Sequence, residues 1–249
     1  MTMPAVPRIF SHERRVLRTR RAEHRSGQDG SASWLLDEIE HDIIERIGFM
    51  QVEPARALIH GRGHGMLEAE LERLGCQVIT IHDPDEERPI TGAPFDLIVS
   101  LARLDTVNDL PGALIHLRAA LGQGGILLAA FVGAGSLPAL RQVLLAADGE
   151  RPAARLHPQI DSRAASALLQ RAGFTRQVVD TLPLRLRYAQ LGRLIGDLRD
   201  QGLTNVLADS PPMLRKAALA RARAAFDKLR DDDGRVTETF EIVTLTAWR

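Results

Sequence analysis

The stretch Ala57-Leu58-Ile59-His60-Gly61-Arg62-Gly63-His64-Gly65 limits what this chain can fold into more than any other. An apolar run enters three glycines set at every second position, and a helical pattern follows at once through Met66, Leu67, Ala69, Leu71 and Leu74. The order is strand, tight turn, helix. Glycine takes backbone dihedrals that other residues resist and lets the backbone come close to a ligand. The free N–H groups of the following helix point into the same space, an arrangement that holds a nucleotide-type cofactor at the mouth of a parallel sheet. On these grounds Gly61, Gly63 and Gly65 are candidate cofactor-binding residues.

The remaining pattern extends this unit. Trp34 to Phe49 reads as an amphipathic helix with Leu35, Ile39, Ile43, Ile44 and Ile47 on one face and Ser33 as its cap. Gln77 to Ile81 is a second strand after Gly75, and Phe95 to Ser100 a third. Leu110 to Leu121 is helical, with Asp109 as cap, and Ile126 to Val132 is a wholly apolar strand of the kind buried on both faces. Helices over Ser136–Ala147 and Ser162–Ala172, a strand over Phe174–Thr181, helices over Leu191–Gln201 and Met213–Arg230, and a strand over Thr239–Ala247 complete the chain. Six strands alternating with helices predict a doubly wound, mostly parallel, Rossmann-like α/β sheet in residues 34–249, with a helical insert at about 190–231 before the last strand.

Residues 1–33 differ in composition. Seven arginines (Arg8, Arg14, Arg15, Arg18, Arg20, Arg21 and Arg25) face only Glu13 and Glu23 in the same run, and Gly27 to Ser33 is a small-residue linker. Such an arm either grips a phosphate-bearing or acidic partner or is a solvated helix packed loosely on the domain. Over the whole chain 32 basic residues balance 32 acidic ones, so there is no global pull towards nucleic acid or anionic membrane. Cys76 is the single cysteine, which excludes an internal disulfide and fits a reducing, cytoplasmic setting. The longest apolar run is too short to span a bilayer, and the N-terminus carries no apolar signal core.

The order of glycine turn, Phe95-Asp96-Leu97-Ile98-Val99-Ser100 strand, Val107-Asn108-Asp109-Leu110-Pro111-Gly112-Ala113-Leu114 helix and Leu121-x-x-Gly124-Gly125-x-Leu127-Leu128 strand resembles the class I S-adenosylmethionine-dependent methyltransferases. Three segments are similar to bacterial relatives of the mitochondrial complex I assembly factor, a group related to the malonyl-carrier-protein methyltransferase of biotin synthesis. They are Val107 to Leu114, Leu168-Leu169-Gln170-Arg171-Ala172-Gly173-Phe174 and Phe240-Glu241-Ile242-Val243-Thr244-Leu245-Thr246. The resemblance implies S-adenosylmethionine as cofactor, held by the three glycines, by His82 or Asp83 at the ribose and with Ser100 at the end of the third strand. It also implies a small-molecule or protein methyl acceptor, a respiratory-complex subunit among the partners, and Tyr188 and Asn205 on the acceptor side.

The departures from that family are chemical. An acidic residue expected two positions before the first glycine is Ile59. The ribose-binding acid aligns with His82, with Asp83 one step later. The third strand of the family, with its helix, is deleted between Asp83 and Phe95, and the family's His-Trp pair reads Asp105-Thr106. A hydrogen bond to a charged group is worth about 1.5–3 kcal/mol, so losing two weakens a micromolar cofactor by about two to four decades. The deletion makes the second strand an edge, which Pro84 and the charges of Asp83, Asp85, Glu86, Glu87 and Arg88 would shield. His60, His64 and His82 with Asp83 could share one crevice, but their spacing matches no metal motif, so no metal is expected. Two functions follow: a methyltransferase acting on an unidentified acceptor, which needs alignment rather than a fixed catalytic residue, or a degenerate binding or assembly protein that has lost the cofactor.

Overall fold

The computed structural model describes residues 7–249; residues 1–6 of the expected arm lie outside the described residues. The helices are α1 (His12–Arg25), α2 (Trp34–Phe49), α3 (Met66–Arg73), α4 (Leu110–Ala120), α5 (Pro138–Asp148), α6 (Ser162–Arg171), α7 (Leu191–Asp200) and α8 (Lys216–Asp227). The strands are β1 (Arg56–Gly61), β2 (Gln77–Ile81), β3 (Phe95–Leu101), β4 (Leu121–Val132), β5 (Arg176–Tyr188) and β6 (Val236–Trp248). They form one six-stranded sheet in the order β2-β1-β3-β4-β6-β5. The pairs β2–β1, β1–β3 and β3–β4 are parallel, and β6 runs antiparallel to both β4 and β5. The deletion read from the sequence thus leaves β2 at the edge.

Side-chain alternation explains the layers. Leu58 of β1, Ile98 of β3 and Leu127, Ala129 and Phe131 of β4 face one core, which Ala113, Leu114 and Leu117 of α4 and Ala165 and Leu169 of α6 complete. Ala57 and Ile59, Leu97 and Val99, and Leu128 and Ala130 face the opposite core, with Leu35, Ile39, Ile43 and Ile47 of α2 and Leu67 and Leu71 of α3. A third cluster joins α5, α7 and α8 to the first half of β6 through Leu140, Leu194, Phe226 and Phe240. That is where the helical insert docks.

Several caps differ from expectation, and each difference has a donor to name. Ser33 makes no capping bond; the Leu35 N–H donates instead to Gln201 Oε1 at 2.7 Å. Ser136 does not cap α5. Its Oγ accepts the Glu241 N–H at 2.8 Å, and the carboxylate of Glu238 on β6 accepts from Ala139 and Leu140 at 3.2 and 2.8 Å. Asp109 does cap α4, accepting from Gly112 N–H at 2.9 Å. The strands β5 and β6 are longer than their apolar cores suggested, since they pair without interruption from Arg176↔Trp248 to Tyr188↔Val236.

Candidate functional site

The carboxyl ends of β1, β2 and β3 open onto one crevice, bounded above by α1, the start of α2 and the end of α7. It encloses about 680 Å³, counting its open mouth, and its walls include Leu36, His64, His82, Leu101, Arg18 and Arg103.

Two of the three glycines are packed against the chain's own side chains. Gly61 has φ of 120°, and a Cβ there would stand 2.7 Å from the Leu101 carbonyl oxygen and 3.0 Å from Arg103 Cγ. A Cβ on Gly63 would lie 1.6 Å from Oε1 of Glu40. Glu40 comes from α2, is buried, and lays its carboxylate on the turn: Oε1 accepts the His64 N–H at 2.7 Å and Oε2 accepts the Met66 N–H at 3.1 Å. It therefore caps α3 in place of a side chain from the turn itself, where a negative charge is favoured. Gly65 has φ of 90° with open space around it, so its requirement is conformational.

Arg103 follows β3 and is the hub of the site's charges. Its Nη2 donates to Asp83 Oδ1 at 3.1 Å and its Nε to Glu86 Oε1 at 2.9 Å. Arg15 of α1 donates to the same Glu86 oxygen at 2.7 Å. Burial opposes ionisation of Glu86, but Arg103 and Arg15 outweigh it and hold the carboxyl below the usual range. Glu86 was expected to be part of a solvated edge shield; it is buried because two guanidiniums receive it. Arg15 and Arg18 are each only 6% exposed, so α1 is not a solvated helix. Arg18 donates to Thr106 Oγ1 at 3.1 Å and to the Thr204 carbonyl at 3.4 Å.

The other sequence candidates separate. His82 and Asp83 are exposed beyond β2, His82 in the crevice wall and Asp83 on Arg103. Ser100 is fully buried beside its in-register partner His60, beneath the crevice rather than in its wall. His60 Nδ1 and Ser100 Oγ make no hydrogen bond within the protein. Burial, opposed by Glu86 and reinforced by Arg103 and Arg15, pushes the His60 imidazole down to about 4. His64 Nδ1 contacts Asp37 at 2.6 Å. The three histidines do not converge, and among the described residues no three His, Cys, Asp or Glu side chains form a metal-ligating group. Asp96 is structural, accepting the Arg56 N–H at 2.9 Å.

A second, smaller hollow lies past the end of β4, lined by Asp105, His157 and Asn205 among others. Asn205 there is committed to loop bonds with the Arg155 carbonyl and the Leu207 N–H. Tyr188 is buried and donates to Asp197 at 3.1 Å.

The chain matches the protein family described as "Methyltransferase domain" over residues 33–179, more than half its length. The chain belongs to this methyltransferase family. Members of the family typically bind S-adenosylmethionine. The chain is 27% identical over 272 residues to a malonyl-[acyl-carrier protein] O-methyltransferase of Gallionella capsiferriformans, covering 96% of this chain and 92% of that one. It is 31% identical over 176 residues to the mouse protein named "Arginine-hydroxylase NDUFAF5, mitochondrial", covering 69% of this chain and 51% of that one, so it spans about half that relative's length. Among solved structures, a methyltransferase of Bacillus halodurans superposes with a TM-score of 0.51 at 13% identity, covering 83% of this chain and 98% of that chain. That superposition supports the fold. Among the described residues, no helix is long and apolar enough to cross a membrane.

Glu40, Arg103 and the buried pair Arg15 and Arg18 were not singled out from sequence. Glu40 did leave a trace: it stands three, four and seven positions before Ile43, Ile44 and Ile47, a carboxylate on an apolar helix face. Arg103 left none.

Proposed function

We propose that this methyltransferase-family chain is a binding protein whose cofactor crevice has been rebuilt, so that S-adenosylmethionine is no longer held. The ion pair between Arg103 and Asp83 carries this reading. The residue best placed to accept hydrogen bonds from ribose hydroxyls has one carboxylate oxygen, Oδ1, on a guanidinium at 3.1 Å, and the preceding position is the imidazole of His82. Arg103 also packs against Gly61, and Glu40 fills the space over Gly63. Gly61 and Gly63 thus answer a need of the chain's own packing. Charge points the same way. The cofactor carries a sulfonium cation, and the crevice wall presents Arg18, which has no carboxylate within ion-pair distance among the described residues, whereas Arg62 is paired with Glu23 and Arg103 with Asp83 and Glu86. At an effective dielectric constant near 20, two like charges about 6 Å apart repel by about 3 kcal/mol, or roughly two decades in affinity.

A second reading, methyl transfer from S-adenosylmethionine, is supported by family membership and by the place of the crevice at the carboxyl ends of β1, β2 and β3. On it, Gly61, Gly63 and Gly65 line the cofactor, His82 or Asp83 meets the ribose, Ser100 lies beneath, and the acceptor enters from the side of Asn205. The likeness to an assembly-factor relative then suggests a respiratory-complex subunit as a partner. Calorimetry of the purified chain with S-adenosylmethionine and S-adenosylhomocysteine separates the two. The rebuilt crevice gives no saturable heat at millimolar ligand. Micromolar binding of either compound, weakened by Gly63→Val, overturns it in favour of the enzyme.

A further inference from the structure

The rebuilt crevice holds an unmatched positive charge. Arg18 lines it, is 6% exposed, and has no carboxylate within ion-pair distance among the described residues; its hydrogen bonds go to the neutral oxygens of Thr106 and Thr204. The acids of the same wall are already paired. Glu23 stands 3.3 Å from Arg62, and Asp200 stands 2.5 Å from Arg25 and accepts the Ala32 N–H at 3.1 Å. Asp83 and Glu86 are taken by Arg103 and Arg15. Asp105, the carboxyl whose field reaches Arg18, is half-buried with its Oδ1 shielded from solvent, and desolvation raises it above the usual carboxylate range. Burial pulls the Arg18 guanidinium down to about 10, the signature of a charge short of compensation. A buried cation without a counter-charge is expensive, and an anion that supplies one is held strongly where water is excluded.

The same walls also carry an apolar strip: Ala22 of α1, Leu36 of α2, and Leu101 and Ala102 at the end of β3. The usual anion seat, the N-terminus of α3, is occupied by Glu40. An incoming anion is therefore directed to Arg18.

We propose that the crevice binds a small amphipathic anion, with a single carboxylate or phosphate head against Arg18 and an apolar body along Leu36, Leu101 and Ala102. This rests on the reading above in one respect, that the crevice is not reserved for a sulfonium cofactor.

The test is calorimetry on the full chain with octanoate, octyl phosphate, inorganic phosphate and octylammonium, alongside S-adenosylmethionine. Octanoate or octyl phosphate is expected to bind at one site, and whichever is tighter identifies the head group. Octylammonium, with the same body and the opposite charge, is expected to be weaker by more than about tenfold. Arg18→Gln is expected to abolish anion binding, but Arg18 also ties Thr106 and Thr204 and its loss could disturb folding. Leu36→Glu, at a half-buried helix position, is the second variant; with the native circular dichroism spectrum retained, it is expected to weaken octanoate by more than about tenfold. The proposal is overturned if neither octanoate nor octyl phosphate gives saturable heat up to about 10 mM. Equal binding of octylammonium, equal binding of inorganic phosphate, or unchanged binding in a folded Leu36→Glu protein overturns it too. If S-adenosylmethionine and the anions both fail, the anion site falls and the rebuilt-crevice reading stands. If S-adenosylmethionine binds beside an anion, that reading falls and the anion site stands.

Discussion

Glu40 and His64 are joined across the glycine turn: the α2 carboxylate accepts the His64 backbone N–H at 2.7 Å, and its second oxygen accepts that of Met66 at 3.1 Å. The link ties a helix that precedes the sheet to the first turn of the helix that follows β1. Glu40→Ala leaves two partly buried N–H groups without that acceptor and is expected to cost about 1–2 kcal/mol in urea unfolding. Gly63→Ala forces the Glu40 carboxylate aside, because the new Cβ would fall 1.6 Å from Oε1. The two changes damage one interaction, so the double variant should be less destabilised than the sum by about 1 kcal/mol or more. Full additivity would show that Glu40 does not hold the turn.

The Glu86 carboxylate is shared by Arg15 and Arg103, and the three side chains are almost fully buried. Glu86→Ala leaves Arg15 without a carboxylate and Arg103 with only the exposed Asp83, and is expected to cost about 3–5 kcal/mol. Asp83→Ala removes a partner that is 46% exposed and is expected to cost less than about 1 kcal/mol. The acid response follows from the sign. Burial works against the Glu86 charge, Arg103 and Arg15 prevail, and the folded carboxyl sits below its ordinary 4.5. Its contribution is complete above pH 4.5 and is lost as pH falls through the depressed folded value. Unfolding followed from pH 5 downward should steepen in the wild type and not in Glu86→Gln.

The sheet was legible because its signals are local. Glycines, apolar runs and period-two alternation placed β1 to β3 closely and the apolar part of β4, a strand that begins at Leu121, five residues ahead of the expected Ile126, and the spacing from Asp83 to Phe95 left no room for a helix plus a strand. Pairing over long sequence distances was not. Glu238 lies 98 residues from the Leu140 N–H that it caps, and Glu86 lies 71 from Arg15. Nothing near Ser136 marks Glu238 as the cap of α5, and nothing in an arginine-rich run marks Arg15 and Arg18 as its buried members. Those roles depend on which faces the fold brings together.

The cap on α5 gives a test of that long-range pairing. Glu238 is buried, and it accepts from Ala139, Leu140 and its neighbour Thr239 at 3.2, 2.8 and 3.0 Å. Glu238→Ala should destabilise the chain by about 1–3 kcal/mol and raise amide exchange first in the opening turn of α5. Restoring Ser136 to a capping role is not available to the variant, because its hydroxyl serves Glu241. Unchanged exchange at Ala139 and Leu140 would remove the cap from Glu238.

His60 sets the pH dependence in the mildly acidic range. Its imidazole is buried next to Ser100, and burial, with Arg103 and Arg15 against Glu86, takes it from an ordinary 6.5 down to about 4. Above pH 6.5 the ring is neutral in both the folded and unfolded chain, so it contributes no slope. Between pH 6.5 and 4 the unfolded chain gains a proton that the folded chain refuses, and stability falls by up to about 1.4 kcal/mol per pH unit, on the order of 3 kcal/mol in all. Below about 4 both forms are protonated and the slope from this residue ends. His157, pushed down to about 3 by burial and then by Arg18 and Arg14, acts with the same sign over a wider window. The wild type should therefore lose stability between pH 6.5 and 5 with a slope approaching two protons. His60→Gln starts from a lower stability but should show a slope approaching one proton, since glutamine does not titrate. An identical slope in the two proteins, measured by urea unfolding at several pH values in that interval, would mean that His60 is already protonated beneath the crevice.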